Sequence, residues 1–423
     1  MSKFIITHKD SKTKARLGVL NTPHGKILTP SYVFVGTYGK FRHLTPKDIK
    51  KTKTQLVIAN TFHLWQKALN SKHEIRNKSK IKNSNNKTLL MEGFGKMPTM
   101  TDSGGFQILS LAFGDKNRIG KFITGDTPVD NRLAKSVIHR RKNIKITEKG
   151  VYFSYNGKKL FLGPELSIKL QKKIGADIIF AFDHITSPLD NYSYNKKAVE
   201  LTDKWAKISV KCKVRNEKLN GKHQMLFGIV QGGLFKNLRI KSAKSIGSLP
   251  FDGFGIGGSY TKKQISKILK WVIPYLPEEK PRHLLGVGKV ADIFEAVQNG
   301  IDMFDCVIPT REARHGRLYT KNGHIDIRKG KYANDTKIIE KGCGCPACVM
   351  KGTLDDEGAL HSRSVIRRLI KSKDKSQNAA GQRWCLTHNM WFFNNLLEEI
   401  RWSIQRGKFT EFKKKYLKNF NYL

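Results

Sequence analysis

The chain has 423 residues and is 39% hydrophobic, enough for a sizeable core, while 79 Lys and Arg against 34 Asp and Glu leave it at +45. Such a surface repels itself unless it meets a polyanion, so nucleic acid is the expected partner; the plain alternative is a lysine-biased composition, since the cations are scattered along the chain. The opening MSKFIITHKD has no apolar signal core, no run approaches the ~18 apolar residues of a membrane helix, and the 6 cysteines form no evenly spaced disulfide framework, so a soluble, cytoplasmic protein is expected.

Short apolar runs recur along the chain, and each closes on a residue able to bind or react. They are QLVIAN ending at Asn60, ADIIFAFD at Asp183, MLFGIVQ at Gln231, FDGFGIGG at Gly258, RHLLGVG at Gly288, and GIDMFDC around Asp305. Runs of this length rich in Ile, Val, Leu and Phe read as fully buried strands. Between them lie helical patterns: Leu201, Trp205, Ile208 and Cys212 share one face, as do Ile265, Ile268, Leu269 and Val272. Strands alternating with amphipathic helices pair in parallel through right-handed crossovers. Asp, Gln and Gly also end strands merely because turns need them, but six such endings in series predict a (β/α)8 TIM-like barrel with its site at the carboxyl rim.

Two polar stretches, near 71–90 and 114–146, read as insertions that form loops or short hairpins on the barrel surface, and KGTLDDEGALHS (351–362) as a further one. The barrel domain is placed at 1–335, and a zinc-binding, helical region at 336–423. In the latter, Phe393, Leu396, Leu397 and Ile400 predict a helix capped by Asn389. The closing GKFTEFKKKYLKNFNYL interleaves cations with aromatics, the pattern of an amphipathic helix or of a surface for RNA.

Cys343, Cys345 and Cys348 offer three thiolates within six residues, bent together by Gly344 and Pro346. Structural zinc takes four such ligands in a tetrahedron. His388 is the candidate fourth, with Cys385 and His361 as rivals; four protein ligands leave no open position, so one structural zinc ion is expected.

Thr101-Asp102-Ser103-Gly104-Gly105-Phe106-Gln107 is a glycine-hinged turn that presents a carboxylate beside an aromatic ring. Taken in order with FGIVQGG (227–233), FGIGGS (254–259), HLLGVGK (283–289), GIDMFDCVIPTREARHG (300–316) and the cysteine knuckle, it resembles the queuine-type tRNA-guanine transglycosylases, in particular the bacterial form. The resemblance runs from about Gly18, through TPHGKILTP and ANTFHLW, to THNM at 387–390.

The resemblance implies exchange of the wobble-position guanine of certain tRNAs for a 7-deazaguanine base, queuine or its precursor, on the same ribose. A carboxylate is chemically suited to trap an oxocarbenium-like ribose covalently, as in retaining glycosidases. By resemblance Asp305 is the nucleophile and Asp102 the general acid/base. The base is expected against Asp102, Ser103, Gly104, Gly105, Asp183, Gln231 and Gly258, with Phe106 stacked on its ring. The physical logic is that guanine's N1–H and 2-amino group donate to carboxylate, while its O6 accepts from an amide or a backbone N–H. RNA contacts are implied for Gly286, Val287, Gly288, Lys289, Val290, Ala291 and Asp292, and for Thr310, Arg311, Glu312, Ala313 and Arg314. Arg311, Arg314 and Arg317 suit phosphate or guanine-edge contacts. Family members are commonly dimers, so a homodimer is expected.

Two departures bear on the incoming base. Bacterial members usually carry Glu and Cys after the Asp183 position, where this chain has His184 and Ile185. They also carry LAVGE after the glycine pair, with a Glu that contacts an aminomethyl precursor base; here Ser259-Tyr260-Thr261-Lys262-Lys263 follows. Competing readings are a guanine transglycosylase acting on DNA, a catalytically silent tRNA-binding subunit, and a sugar glycosidase. Retention of both Asp102 and Asp305 argues against the silent subunit, and the scarcity of acids and aromatics against the glycosidase.

Overall fold

A computed structural model of the chain describes residues 3–70, 89–112, 144–188, 190–220, 224–258, 262–349 and 361–420. The insertion near 71–90 therefore lies almost wholly outside the described residues, as do 114–143 of the second insertion and most of 351–362. An antiparallel sheet opens the fold: β1 (Phe4–Lys9), β2 (Arg16–Thr22) and β3 (Gly25–Thr29). The barrel then begins with β4 (Ser31–Val35), β5 (Leu56–Ala59) and β6 (Thr99–Thr101). It is interrupted by a separate antiparallel sheet of β7 (Ile144–Thr147), β8 (Gly150–Tyr155) and β9 (Lys158–Leu162). It resumes with β10 (Ile178–Phe180), β11 (Met225–Val230), β12 (Gly253–Ile256), β13 (Arg282–Leu284) and β14 (Met303–Cys306). Every pairing among these eight strands is parallel, and β14 closes on β4. A two-stranded ribbon, β15 (Arg317–Thr320) with β16 (Gly323–Asp326), follows the barrel.

All six apolar runs read from the sequence supply barrel strands. The two strands they leave out are β4 and β6, and β6, Thr-Met-Thr, holds a single apolar residue and so carries no apolar run. The predicted helical faces fall in the helices Tyr192–Asn220 and Lys262–Val272.

Strand side chains alternate between the two faces, and the barrel's inner set is Val33, Leu56, Ile58, Met100, Ile178, Phe180, Met225, Phe227, Ile229 and Met303. Phe4, Leu20 and Ile27 of the opening sheet join this cluster and plug the amino-terminal end. The same alternation carried two residues further turns Asn60, Asp102, Gln231 and Asp305 inward at the carboxyl end, following Ile58, Met100, Ile229 and Met303. The apolar filling of the barrel thus stops one layer short of its rim, and polar side chains take over there.

The C-terminal helix corrects two expectations. It runs unbroken from Lys375 to Gln405 and is capped by Asp374, whose side chain accepts from the Gln377 N–H. Asn389 is therefore not its cap, and His388 does not stand ahead of the helix but in its middle. The apolar period continues well upstream of Phe393, because Trp384, Cys385, Leu386 and Met390 are also buried. Asn389 instead serves tertiary packing: its side chain donates to the carbonyls of Pro309 and Arg317 (3.0 Å each) and accepts from the Tyr319 N–H (3.1 Å). In the final helix, Phe409–Asn419, the aromatic side is inward: Phe409 and Tyr416 pack on Phe294 of the barrel's outer layer.

Candidate active site

Asp102 follows β6 directly, and the turn behind it bends at Gly104, whose φ of +83° is costly for any residue with a Cβ. The Asp102 carboxylate accepts from the Thr61 and Gly104 N–H groups (3.0 Å each) and from the Asn60 amide (2.5 Å). Burial nevertheless dominates and pushes this carboxyl up to about 7, with the charge of Asp305 adding to the rise and the three donors holding it back. The two carboxylates therefore sense one another across the rim.

Asp305 stands on β14, where His283 Nε2 meets its Oδ1 at 2.9 Å and the Gly286 N–H approaches the same oxygen at 3.4 Å. His283 is fully buried on β13 beside Phe180. Asn60 is one of the run-ending residues that the sequence offers, whereas Thr61 and His283 are not legible there as site residues. A histidine at the second position of the apolar run RHLLGVG is the one signal for His283 in the sequence.

The second wall is built by Asp183, Gln231 and Gly258. Asp183 is buried, accepts from Ser103 Oγ (3.2 Å) and from the Gln231 amide (2.6 Å), and is raised to about 6 by burial against those two donors. A Cβ on Gly105 would lie 3.2 Å from the Asp183 carbonyl, so the turn that carries Phe106 packs directly against this wall; Phe106 itself is half-buried. Gly258 has φ +103°, and a Cβ there would meet Gln231 Oε1 at 3.2 Å and Arg239 Nη2 at 2.5 Å. The fold thus gathers Asp102, Ser103, Gly104, Gly105, Asp183, Gln231 and Gly258 around one mouth. His184 turns away from it, onto Tyr194 and Trp205. Ser259, Tyr260 and Thr261 lie outside the described residues.

The segments expected to meet RNA flank Asp305. In the first, Val287, Val290 and Asp292 are buried while Gly286 is exposed, so the segment offers backbone and Lys289 rather than a row of side chains. In the second, Thr310 and Ala313 are buried, and Glu312 is engaged by the Tyr319 hydroxyl and by Arg317 (3.6 Å). Arg311 and Arg314 remain partly accessible. Arg314 is depressed by burial and then by Arg42 and Arg311, and His43 by burial and then by Arg42 and Arg314. Arg42 and His43 belong to the loop after β4, pinned by buried Phe41 and Leu44, with His43 in left-handed backbone at φ +62°. This cluster of cations from two rim loops was not legible in the sequence, where its members stand about 270 residues apart (314 less 42 is 272).

Away from the mouth, Cys343, Cys345, Cys348 and His388 place their ligand atoms within 4.8 Å of one another. His388 Nδ1 stands 3.3 Å from Cys345 Sγ, 3.7 Å from Cys348 and 4.0 Å from Cys343. Ligands held at about 2.0–2.3 Å in a tetrahedron would be roughly 3.4–3.8 Å apart, so the set fits one metal ion. The other ring nitrogen, Nε2, faces the Tyr319 carbonyl at 2.7 Å, which orients the ring as metal-binding histidines require. Cys385 and His361, the rival ligands, are not part of the group.

The family model described as queuine tRNA-ribosyltransferase matches residues 10–422. A queuine tRNA-ribosyltransferase of Francisella tularensis subsp. novicida is 34% identical over 424 residues, covering 99% of each chain. One of Clostridium perfringens (strain SM101 / Type A) is 35% identical over 438 residues, covering 99% of this chain and 98% of its own. Likeness end to end, on a parallel barrel whose rim gathers the very motifs that carried the resemblance, leaves one conclusion: the chain belongs to the queuine tRNA-ribosyltransferase family.

Proposed function

We propose that this chain is a tRNA-guanine transglycosylase that exchanges wobble-position guanine for a 7-deazaguanine base through a covalent ribosyl-aspartate intermediate. The observation that carries the reading is the pair of rim carboxylates, Asp102 raised to about 7 and Asp305 beside it, next to a wall of Asp183, Gln231 and Gly258. Asp305 attacks C1′ of the ribose as the glycosidic electron pair leaves with guanine, and protonated Asp102 supplies the proton that the departing base takes up. Asp102, now a carboxylate, takes a proton from the incoming base, whose nitrogen displaces Asp305 from C1′. Two displacements at one carbon retain configuration and need no ATP.

Asp183 takes the N–H donors of the base, and Gln231 and the Gly258 N–H face its O6. Arg311 and Arg314 hold the flanking phosphates. Zinc is the ion the Cys3His set suits, and with four protein ligands its role is to tie the C-terminal helix to the knuckle rather than to act on substrate. The barrel region 1–335 and the zinc-binding region 336–423 share one apolar core, so they are expected to unfold together. A cytoplasmic homodimer is proposed from the family resemblance. Among the described residues no helix is long and apolar enough to cross a membrane.

The deciding test is incorporation of labelled guanine into total tRNA and into DNA by the purified protein. Incorporation into tRNA alone is expected; incorporation into DNA alone, or into neither, would overturn the reading.

A further inference from the structure

We infer that Arg239 is the positioning residue that turns the Gly258 N–H toward the bound base, a role that rests on the pocket assignment above. Arg239 lies in the first turn of the helix Lys236–Gly247 and is fully buried. A buried cation is costly unless well satisfied, and this one sits behind the base wall. Its Nε donates to the Gly233 carbonyl (2.8 Å), and its Nη1 to those of Val230 (3.2 Å) and Gly257 (2.6 Å). One guanidinium thus ties together the loops that leave β11 and β12, the two that carry Gln231 and Gly258. The same helix also holds Gln231 from behind, where Ser242 Oγ accepts its backbone N–H at 3.1 Å.

The consequence follows from peptide geometry. In a trans peptide the carbonyl and the N–H point in opposite directions, and the Gly257–Gly258 bond is not cis. With the Gly257 oxygen drawn onto Arg239, the Gly258 N–H points away from the guanidinium, to the mouth side, and it makes no hydrogen bond among the described residues. The cation also satisfies the Gly233 and Gly257 carbonyl oxygens, and it shares the Val230 oxygen with the Gly257 N–H (3.1 Å). A Cβ on Gly258 would stand 2.5 Å from Arg239 Nη2, so a larger residue would have to displace the guanidinium from its carbonyl partners, and the φ of +103° already favours glycine. The donor aimed at a 6-oxo group is therefore set by a residue that never touches the base.

The test compares full-length wild type, Arg239→Met and Arg239→Lys. Binding of guanine and of 2-aminopurine, which keeps the 2-amino group and lacks the 6-oxo oxygen, is measured by calorimetry, and exchange kinetics give KM for guanine and for tRNA. Arg239→Met is expected to weaken guanine about tenfold, with 2-aminopurine affinity and KM for tRNA changed less than about twofold. Arg239→Lys, which keeps a donor cation, is expected to recover part of the loss. Equal weakening of the two purines, or a parallel rise in KM for tRNA, would reduce Arg239 to a general support of the fold and overturn the inference. If Arg239→Met does not fold, Arg239→Lys decides by the same ratio; failure of both to fold also overturns it. A wild type that binds guanine but exchanges none into tRNA would refute the proposed function and leave the inference standing.

Discussion

His283, wholly buried on β13, meets the Asp305 carboxylate through Nε2 at 2.9 Å. The contact fixes one oxygen of the proposed nucleophile and leaves the other for the ribose. Asp305→Asn should abolish both exchange and the covalent RNA adduct while tRNA binding stays within a few-fold. His283→Phe keeps the volume and removes the contact; it should lower the rate of adduct formation about 10²-fold, the usual cost of misplacing a reacting group. Denaturing gels of enzyme mixed with labelled tRNA read both, and an adduct persisting in Asp305→Asn would remove its assignment.

Asp102 at about 7 is protonated for much of the neutral range, so adduct formation, which consumes its proton, should fall as pH rises through about 7. The same shift bears on stability. Folded values of about 7 for Asp102 and about 6 for Asp183 lie above the ordinary 3.8, so the folded chain holds protons that the unfolded chain has released. Their contribution is fully present below about pH 4 and is lost as pH rises through 6–7. Asp102→Asn should slow turnover severely and flatten the fall in stability between about pH 4 and 7.5, as read by denaturant titration across pH. An unchanged slope would contradict the shift.

Elemental analysis of protein purified without chelator should find one zinc per chain. His388→Ala should lose it and lower Tm by roughly 5 °C or more, because the metal ties the knuckle to the middle of the 31-residue helix. Cys385→Ala should keep its zinc. The opposite pattern would exchange the two ligands.

Arg42→Ala should weaken tRNA binding and reduce the slope of log affinity against log salt by about one, with KM for guanine unaltered. An unchanged slope would place Arg42 outside the phosphate path.

The incoming base follows from Ser259-Tyr260-Thr261-Lys262-Lys263 standing where bacterial relatives place a Glu. On the sequence alone, a cationic aminomethyl base loses its charge partner in this stretch, which gains two lysines in place of a carboxylate, so queuine is expected to compete relatively better than the aminomethyl precursor. Competition for insertion into one tRNA decides this, and a strong preference for the aminomethyl base would show that the lost carboxylate does not matter.

The sequence by itself determined the barrel, the rim and the motifs. Its buried strands are continuous apolar runs, and a period-two alternation that ends in Asp, Gln or Asn is local information. The cysteine knuckle was equally local, three ligands within six residues. Only the tertiary structure decided which distant groups meet. Closure of β14 on β4 brings the loop of Arg42 and His43 to Arg311 and Arg314. The pairing of β13 with β14 puts His283 under Asp305. The helix after β11 sends Arg239 behind Gly258. Asn389 shows the limit most plainly: in the sequence it has the makings of a helix cap, but burial between Pro309, Arg317 and Tyr319 makes it a packing residue in mid-helix. Capping chemistry and tertiary hydrogen bonding use the same side chain, and only the position of the neighbouring chain distinguishes them.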